Sequence, residues 1–238
     1  MMMKLLIMTG AEYMKKTKAS PQVVIKDIVI IVEGDTEVEF YKLVKDHIKA
    51  DKVKELGENY FKNHYAFEKI VNLHGIGNFQ KDAKEQFDKI REKNDKKISK
   101  LEEQGKNVAF EYHIFLCIDT DVFEYDKNPP LDKEKLKKDL LNSGEDVVEV
   151  SYIEAKKSIE DWFLDDLDGI KKFLKLKSIP KGYKSKSTGY EKLKHIFKNA
   201  GKSYVKGNKV EGFVEKLNVP SIIKKHQKEL KSLWDAIK

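Results

Sequence analysis

Two short apolar runs stand out in the first half of the chain. Ile28 to Val32 are five consecutive β-branched residues, and Ile114 to Ile118 form a second unbroken run. Runs of this length are typical of strands that are buried on both faces, as in a parallel sheet. Two further strands are predicted, one centred on Lys69–Leu73 and one at Val147–Tyr152.

Helical patterns separate these strands. Apolar residues recur about every 3.6 residues over residues 36–56, 79–101 and 131–142, and another helix is predicted from Ile159. This alternation predicts an α/β fold with a mainly parallel sheet and helices on both faces. Gly34 is expected to supply a tight turn after the first strand, and Asp35 or Thr36 to cap the next helix.

The chain changes character after about residue 170. Residues 171–186 are rich in lysine and predict a mobile basic loop, and small helices are predicted at 190–197, 210–217 and 221–237, the last capped by Ser221. The sequence therefore predicts three parts. They are an N-terminal extension (1–24), an α/β domain (25–170) and a lysine-rich loop with a C-terminal helical extension (171–238).

The amino-acid composition gives the chain a net positive charge. The 238 residues include 47 Lys and Arg against 40 Asp and Glu, a net charge of +7, and Arg91 is the single arginine. Lysines suit phosphate-backbone contacts, so nucleic acid is an expected partner, although a lysine-rich surface also arises without that role. The single Cys117 fits the reducing cytoplasm. Because no apolar run approaches the ~20 residues of a membrane helix, no membrane partner is expected.

Acidic residues follow the predicted strands. Glu33 ends the first strand, Asp119 and Asp121 end the Ile114–Ile118 strand, Glu160 opens a helix, and Glu37 lies about one helical turn beyond Glu33. The carboxyl ends of parallel strands share one edge of a sheet, so these side chains are expected to converge. A single such acid is more often a turn or cap residue. Several together favour a divalent cation, and all-oxygen ligands favour Mg²⁺ or Mn²⁺, as one ion or two.

Three segments together resemble the successive motifs of the TOPRIM (topoisomerase–primase) domain. They are Ile31–Tyr41, Gly75–Phe79 and Phe115–Asp121. The first of them, with Ser158–Phe163, resembles in particular the nuclease TOPRIMs of the overcoming-lysogenisation-defect (OLD) family and small TOPRIM proteins of bacterial defence loci. The resemblance covers roughly residues 25–170. It implies a Rossmann-like TOPRIM fold that binds Mg²⁺ and cleaves or transfers phosphodiesters.

The resemblance also assigns roles to residues. Glu33, Asp119 and Asp121 match the catalytic and metal-binding acids of the family, while Glu37 and Glu160 match the further metal ligands of its nuclease branch. The chain lacks the phosphate loop of the ATPase found in larger family members, which favours a hydrolytic nuclease over a topoisomerase. A partner ATPase or another defence subunit is a further expected partner. No tyrosine stands out as the nucleophile of a topoisomerase.

Basic residues complete the predicted site. Lys206, next to Gly207, is expected to take part in catalysis by stabilising developing negative charge, although a lysine in a turn is more often simply solvated. Four lysines of the C-terminal part are expected to contact the nucleic-acid backbone: Lys181, Lys184, Lys186 and Lys202.

The sequence thus predicts a Mg²⁺-dependent nuclease that hydrolyses DNA or RNA and acts in anti-phage defence. The alternative is a non-catalytic TOPRIM-like module that binds nucleic acid or a partner subunit. A nucleotidyl transferase or primase-like enzyme is a third interpretation, for which the sequence carries no nucleotide-site signature. Oligomeric state and the choice between DNA and RNA stay open.

Overall fold

A four-stranded parallel sheet forms the centre of the part of the chain that the computed structural model describes, residues 23–125 and 129–238. Its strands are β1 (Val23–Val32), β2 (Tyr65–Asn72), β3 (Val108–Asp119) and β4 (Val147–Ala155). They are ordered β2-β1-β3-β4, and each neighbouring pair is parallel. The predicted α/β class with a parallel sheet is therefore confirmed.

The α-helices of the described residues are α1 (Asp35–Leu56), α2 (Glu58–His64), α3 (Phe79–Glu103), α4 (Asp121–Tyr125), α5 (Lys133–Leu141), α6 (Ile159–Phe163), α7 (Leu167–Leu174), α8 (Gly189–Asn199), α9 (Val219–Lys225) and α10 (Lys231–Asp235). Short 3₁₀ turns lie at Ile76–Asn78, Leu164–Asp166, Lys181–Ser185 and Val214–Lys216.

Strand β1 is buried on both faces, as its apolar run predicts. Ile28, Ile30 and Val32 face a core shared with α1 and with helices α6 to α10. Val29 and Ile31 face the opposite core, which contains the apolar sides of α3 and α5. Alternate residues of one strand thus enter two different cores, because side chains alternate along an extended chain. Helices cover both faces of the sheet.

The order of the strands creates a crevice at the carboxyl ends of the central strands. The connection from β1 leads through α1 to β2 on one side, whereas β3 is followed by β4 on the other side. The carboxyl ends of β1 and β3 therefore lie beside each other where the connections diverge. Open α/β sheets place their ligands at this kind of switch point.

The C-terminal part differs from its prediction. Residues 171–174 belong to helix α7, and residues 181–185 form a 3₁₀ turn, so the stretch predicted as a loop is partly helical. Within 210–217 only Val214–Lys216 is helical, and the helix predicted over 221–237 is divided into α9 and α10. The apolar residues of these segments join the core that also contains α1.

Two predictions about turns and caps were wrong. Gly34 has an extended backbone (φ −152°) and itself occupies the N-cap position of α1, without a side-chain cap from Asp35 or Thr36. At the start of α9, Asn218 is the cap in place of Ser221, since its Oδ1 accepts a 3.2 Å hydrogen bond from the Ser221 amide.

The predicted N-terminal extension falls mostly outside the described residues. Its last two positions, Val23 and Val24, already belong to β1 and pair with β3. Among the described residues, no helix has the length and apolar character required to cross a lipid bilayer.

Replacing the cap of α9 tests the revised boundary. Asn218→Ala removes the acceptor for the Ser221 amide and should lower the free energy of unfolding by about 1 kcal/mol. Ser221→Ala is the matched control, because only the backbone of Ser221 takes part in the cap. Urea denaturation measures both variants, and an equal loss in the two would contradict this assignment.

Candidate functional site

Backbone amides fix two carboxylates at the carboxyl edge of the sheet. Glu33 directly follows β1, and its Oε1 accepts a 2.8 Å hydrogen bond from the amide of Asp119, the last residue of β3. Asp119 Oδ1 in turn accepts a 2.8 Å hydrogen bond from the amide of Ile159, the first residue of α6. These bonds tie together the ends of two strands and the start of a helix.

Glu37 and Glu160 place further carboxyl oxygens in the same region. Glu37 lies in the first turn of α1 and is 6% exposed, whereas Glu160 in α6 is 1% exposed. The Oε1 atom of Glu160 accepts a 3.1 Å hydrogen bond from the Tyr204 hydroxyl. Within the described residues, the Oε2 atoms of both glutamates are buried without a hydrogen-bond partner. Such atoms are costly to bury unless a ligand or a proton satisfies them.

Lys206 supplies positive charge to this cluster. Its Nζ lies 3.0 Å from Asp119 Oδ2 and 3.1 Å from Asp121 Oδ2. The following residues anchor the segment on the first turn of α1, where the Asp35 amide donates to the Gly207 carbonyl at 2.8 Å. The ammonium group is thus held against the carboxylates by a chain segment about 85 residues distant in sequence from Asp121.

A cleft of about 420 Å³ gives access to the cluster. Glu33, Glu37 and Lys206 line it together with His74 and Gly75, which follow β2. We call this space the carboxylate cleft. It lies at the switch point of the sheet, where the fold predicts a ligand.

Burial changes the ionisation of these acids. Desolvation raises the pKa of Glu33 to about 7, against the opposing effects of the Asp119 amide and the Lys206 ammonium. Desolvation likewise raises the pKa of Glu37 to about 7, and that of Asp119 well above its ordinary value. Burial alone would lower the pKa of Lys206, but the carboxylates of Asp119 and Asp121 outweigh it and raise that pKa. A cation is therefore favourable here, because it stabilises the charged form of the acids.

The structure brings together the five acids that the sequence proposes as ligands. Glu33, Glu37 and Glu160 each act electrostatically on Asp119, and Asp121 acts on Glu33. Lys206 joins them through its contacts with the two aspartates.

The lysines predicted to bind nucleic acid lie elsewhere. Lys181 and Lys184 are exposed on the 3₁₀ turn, Lys186 is exposed just after it, and Lys202 stacks its ammonium 4.4 Å from the ring centroid of Phe173. They do not line the carboxylate cleft. Their predicted contact with nucleic acid stays a prediction.

Sequence reasoning missed two features of the site. Tyr204 donates to Glu160 across 44 residues of chain, a contact that no local pattern indicates. Gly34 is needed for close approach and not for its own backbone angles, since a Cβ there would lie 2.8 Å from Gly207 Cα. Both features depend on the segment that carries Lys206.

The residues present fit a divalent cation in chemistry but are not assembled around one. Across residues 23–125 and 129–238, no group of three or more His, Cys, Asp or Glu side chains is arranged to hold a metal ion. The Lys206 ammonium instead contacts two of the carboxylates. The donor set is nevertheless all oxygen, and among the residues that the structure describes, one buried oxygen each of Glu37, Asp121 and Glu160 has no hydrogen-bond partner. Mg²⁺ and Mn²⁺ prefer such donors.

Comparison with known proteins leaves the family open. No protein-family model, curated protein or solved structure matches the chain. The fold and the site define an α/β protein with an acidic cluster at the switch point of a parallel sheet. The TOPRIM resemblance stays a prediction from the motifs.

A substitution at Gly34 tests the packing of the Lys206 segment. In Gly34→Ala the new Cβ would lie 2.8 Å from Gly207 Cα and 2.9 Å from Glu37 Oε2. The backbone and side-chain shifts needed to relieve this overlap should lower the free energy of unfolding by about 1–3 kcal/mol. Gly77→Ala is the control, since no atom lies within 4 Å of its Cβ position. Equal stability of Gly34→Ala and wild type in urea denaturation would refute the close contact.

The raised pKa values of Glu33 and Glu37 predict a pH-dependent stability in EDTA. Between pH 4.5 and about 7 the folded protein keeps protons on these acids that the unfolded chain releases. The free energy of unfolding should therefore fall as the pH rises through this window. The double variant Glu33→Gln/Glu37→Gln has no such protons to lose, so its stability should fall less between pH 5 and 8. Urea denaturation measures both proteins at each pH. The same change in the free energy of unfolding for the two proteins between pH 5 and 8 would contradict the prediction.

Proposed function

We propose that the protein is a Mg²⁺-dependent nuclease that hydrolyses phosphodiester bonds of DNA or RNA. One observation carries this proposal: five acids and a lysine converge at the switch point of a parallel sheet, and within the described part of the chain several of their buried oxygens lack hydrogen-bond partners. A carboxylate cluster of this kind is suited to a divalent cation, and a cation beside a lysine is suited to a phosphate group.

Each residue has a distinct task in this proposal. Glu33, Glu37, Asp119, Asp121 and Glu160 would hold one or two divalent ions. When bound, Mg²⁺ or Mn²⁺ supplies Lewis-acid activation of water and neutralises charge that develops on the phosphate. The Asp119 and Ile159 amides keep Glu33 and Asp119 oriented, which limits the reorganisation that the site requires.

Lys206 acts as a fixed positive charge at the carboxylate cleft. Its Nζ stands beside both aspartates, and its segment is anchored on α1 by the Gly207 carbonyl. A positioned ammonium group favours the binding of an anionic phosphate and stabilises negative charge in the transition state. Lys206 is therefore our candidate catalytic cation.

The cellular setting belongs to the same proposal. Cys117 is buried and free, which fits the reducing cytoplasm. The motif resemblance to OLD-type nucleases suggests a role in anti-phage defence, together with a partner ATPase or another defence subunit.

A second function is favoured by the arrangement of Lys206. Because its ammonium already neutralises part of the charge of Asp119 and Asp121, the domain would be stable as a non-catalytic module that binds nucleic acid or a partner. Titration calorimetry with Mg²⁺ and Mn²⁺ separates the two proposals. The nuclease requires binding at millimolar metal, and the module predicts none.

Neutralising the two aspartates tests the nuclease directly. Asp119→Asn/Asp121→Asn should reduce Mg²⁺-dependent cleavage of single- and double-stranded DNA and RNA by at least about 100-fold, since several kcal/mol of transition-state stabilisation are lost. Asparagine retains an oxygen that can accept from the Ile159 amide, so the fold should persist.

The matched control removes the same number of negative charges from exposed positions on the surface. Asp46→Asn/Asp51→Asn alters two acids of α1 that are 63% and 44% exposed, and should cleave at the wild-type rate. Wild-type cleavage by the Asp119→Asn/Asp121→Asn protein would end the nuclease proposal.

A further inference from the structure

A second cleft, of about 570 Å³, lies between the edge strand β2 and the C-terminal half of α3. Five lysines line it, and we call it the α3 lysine cleft. They are Lys69, Lys93, Lys96, Lys97 and Lys100. The dense mixture of charges on α3 looks in the sequence like an ordinary solvated surface. In the fold, four of its lysines share one concave space with a lysine from β2.

The charge of this cleft is largely uncompensated. Within the described residues, Lys93, Lys96 and Lys100 form no ion pair. The ammonium of Lys97 instead lies 5.6 Å from the ring centroid of Phe110.

The acidic residue of the lining does not neutralise these lysines. Glu68 is bound by Lys45 at 3.0 Å and by Lys49 at 2.9 Å, both from α1. Its charge is thus already taken up by lysines outside the cleft.

Lys69 is built into the floor of the cleft. Its ammonium pairs with Asp27, which is fully buried, and donates to Asn94 Oδ1 at 3.2 Å. Burial lowers the pKa of Lys69, and the nearby ammonium groups of Lys97 and Lys93 lower it further, against the effect of Asp27. The positive charges are therefore close enough to repel one another. A bound anion would relieve this repulsion.

The arrangement suits several phosphates in a row. Lys93, Lys97 and Lys100 recur at helical spacing along one side of α3, over about 10 Å. Lysines act as flexible point charges and do not form the fixed fork that recognises a compact anion. A row of such charges matches a sugar–phosphate backbone, which is contacted without regard to sequence.

The position of the cleft points to the same ligand. β2 runs from Lys69 towards His74, which lines the carboxylate cleft, so the two clefts lie along one edge of the sheet. Lys69 and His74 are five positions apart, so at about 3.3 Å per residue of strand they lie roughly 16 Å from each other. A few nucleotides of a single strand span that distance.

We propose that the α3 lysine cleft binds the sugar–phosphate backbone of a nucleic-acid strand whose continuation reaches the carboxylate cleft. The naming of nucleic acid as the ligand rests on the proposed function. The cleft itself is defined by residues distant from the carboxylates and holds phosphate whether or not the carboxylates cleave it.

Charge-matched variants test this assignment. The cleft variant, Lys93→Gln/Lys96→Gln/Lys97→Gln/Lys100→Gln, keeps good helix formers and leaves Lys69 to neutralise Asp27. The control variant, Lys42→Gln/Lys135→Gln/Lys138→Gln/Lys224→Gln, removes the same number of charges from exposed helix positions that line neither cleft. The probe is a fluorescein-labelled 20-nucleotide single strand, as DNA and as RNA, measured by anisotropy in EDTA at several salt concentrations.

The cleft variant should bind at least about 10-fold more weakly than wild type at low salt. Its plot of log K against log salt should also be shallower, by about 0.7 for each phosphate that the variant no longer neutralises. The control variant should bind within about 2-fold of wild type. Circular dichroism and thermal midpoints verify that both variants are folded, and the pairs Lys93→Gln/Lys97→Gln and Lys96→Gln/Lys100→Gln should each give part of the reduction in affinity.

Two results would overturn the proposal. They are unchanged oligonucleotide binding by the cleft variant, even where that variant binds inorganic triphosphate more weakly, and an equal reduction in the control variant. Because the assay contains EDTA, it is independent of cleavage. Binding through the cleft without any nuclease activity would reject the proposed function alone, and cleavage without binding through the cleft would reject this inference alone.

Discussion

Desolvated carboxylates lie within reach of one another at the carboxyl ends of β1 and β3, and their mutual repulsion constrains the rest of the site. Like charges withdrawn from water cannot all ionise without a compensating cation. Backbone amides donate hydrogen bonds to Glu33 and Asp119, and a hydroxyl donates to Glu160. The ammonium of Lys206 adds one positive charge. One positive charge does not balance five acids. The raised pKa values of Glu33 and Glu37 let these two acids keep protons near neutral pH, and a bound cation would balance the charge instead.

The scaffold that enforces this crowding is hydrophobic. Strand β1 sends alternate side chains into two separate cores, which fixes its register and therefore the position of Glu33. The C-terminal helices pack into the core of α1, and this packing returns Lys206 and Tyr204 to the strand tips. The C-terminal part is thus part of the site. Without it the acids would lose both a cation and a hydrogen-bond donor.

Features with a local cause could be predicted from the sequence, and features that depend on distant contacts could not. The run Ile28–Val32 predicts a buried strand because five consecutive β-branched residues are enough to indicate one. The position of Glu33 beside other acids then follows from the geometry of parallel sheets. The role of Gly34 depends on Gly207, which packs against it from the far end of the chain. The boundary at Asn218 was missed because Ser221 offers an equally good cap in sequence terms. The lysine cleft on α3 also depends on distant contacts and could not be predicted. Lys69 lies beside the α3 lysines only because β2 pairs with β1.

In the proposed complex with a nucleic-acid strand, the two clefts have different electrostatic roles. An acidic cluster repels phosphate, and a net charge of +7 spread over the surface does not cancel that repulsion locally. At physiological ionic strength the screening length is about 8 Å, shorter than the roughly 16 Å that strand geometry gives from Lys69 to His74. The α3 lysines therefore cannot neutralise the carboxylates at a distance, and in the proposed complex they hold a different phosphate of the same strand. Attraction at one cleft offsets repulsion at the other only through the covalent continuity of the ligand, which favours a polymer over a mononucleotide.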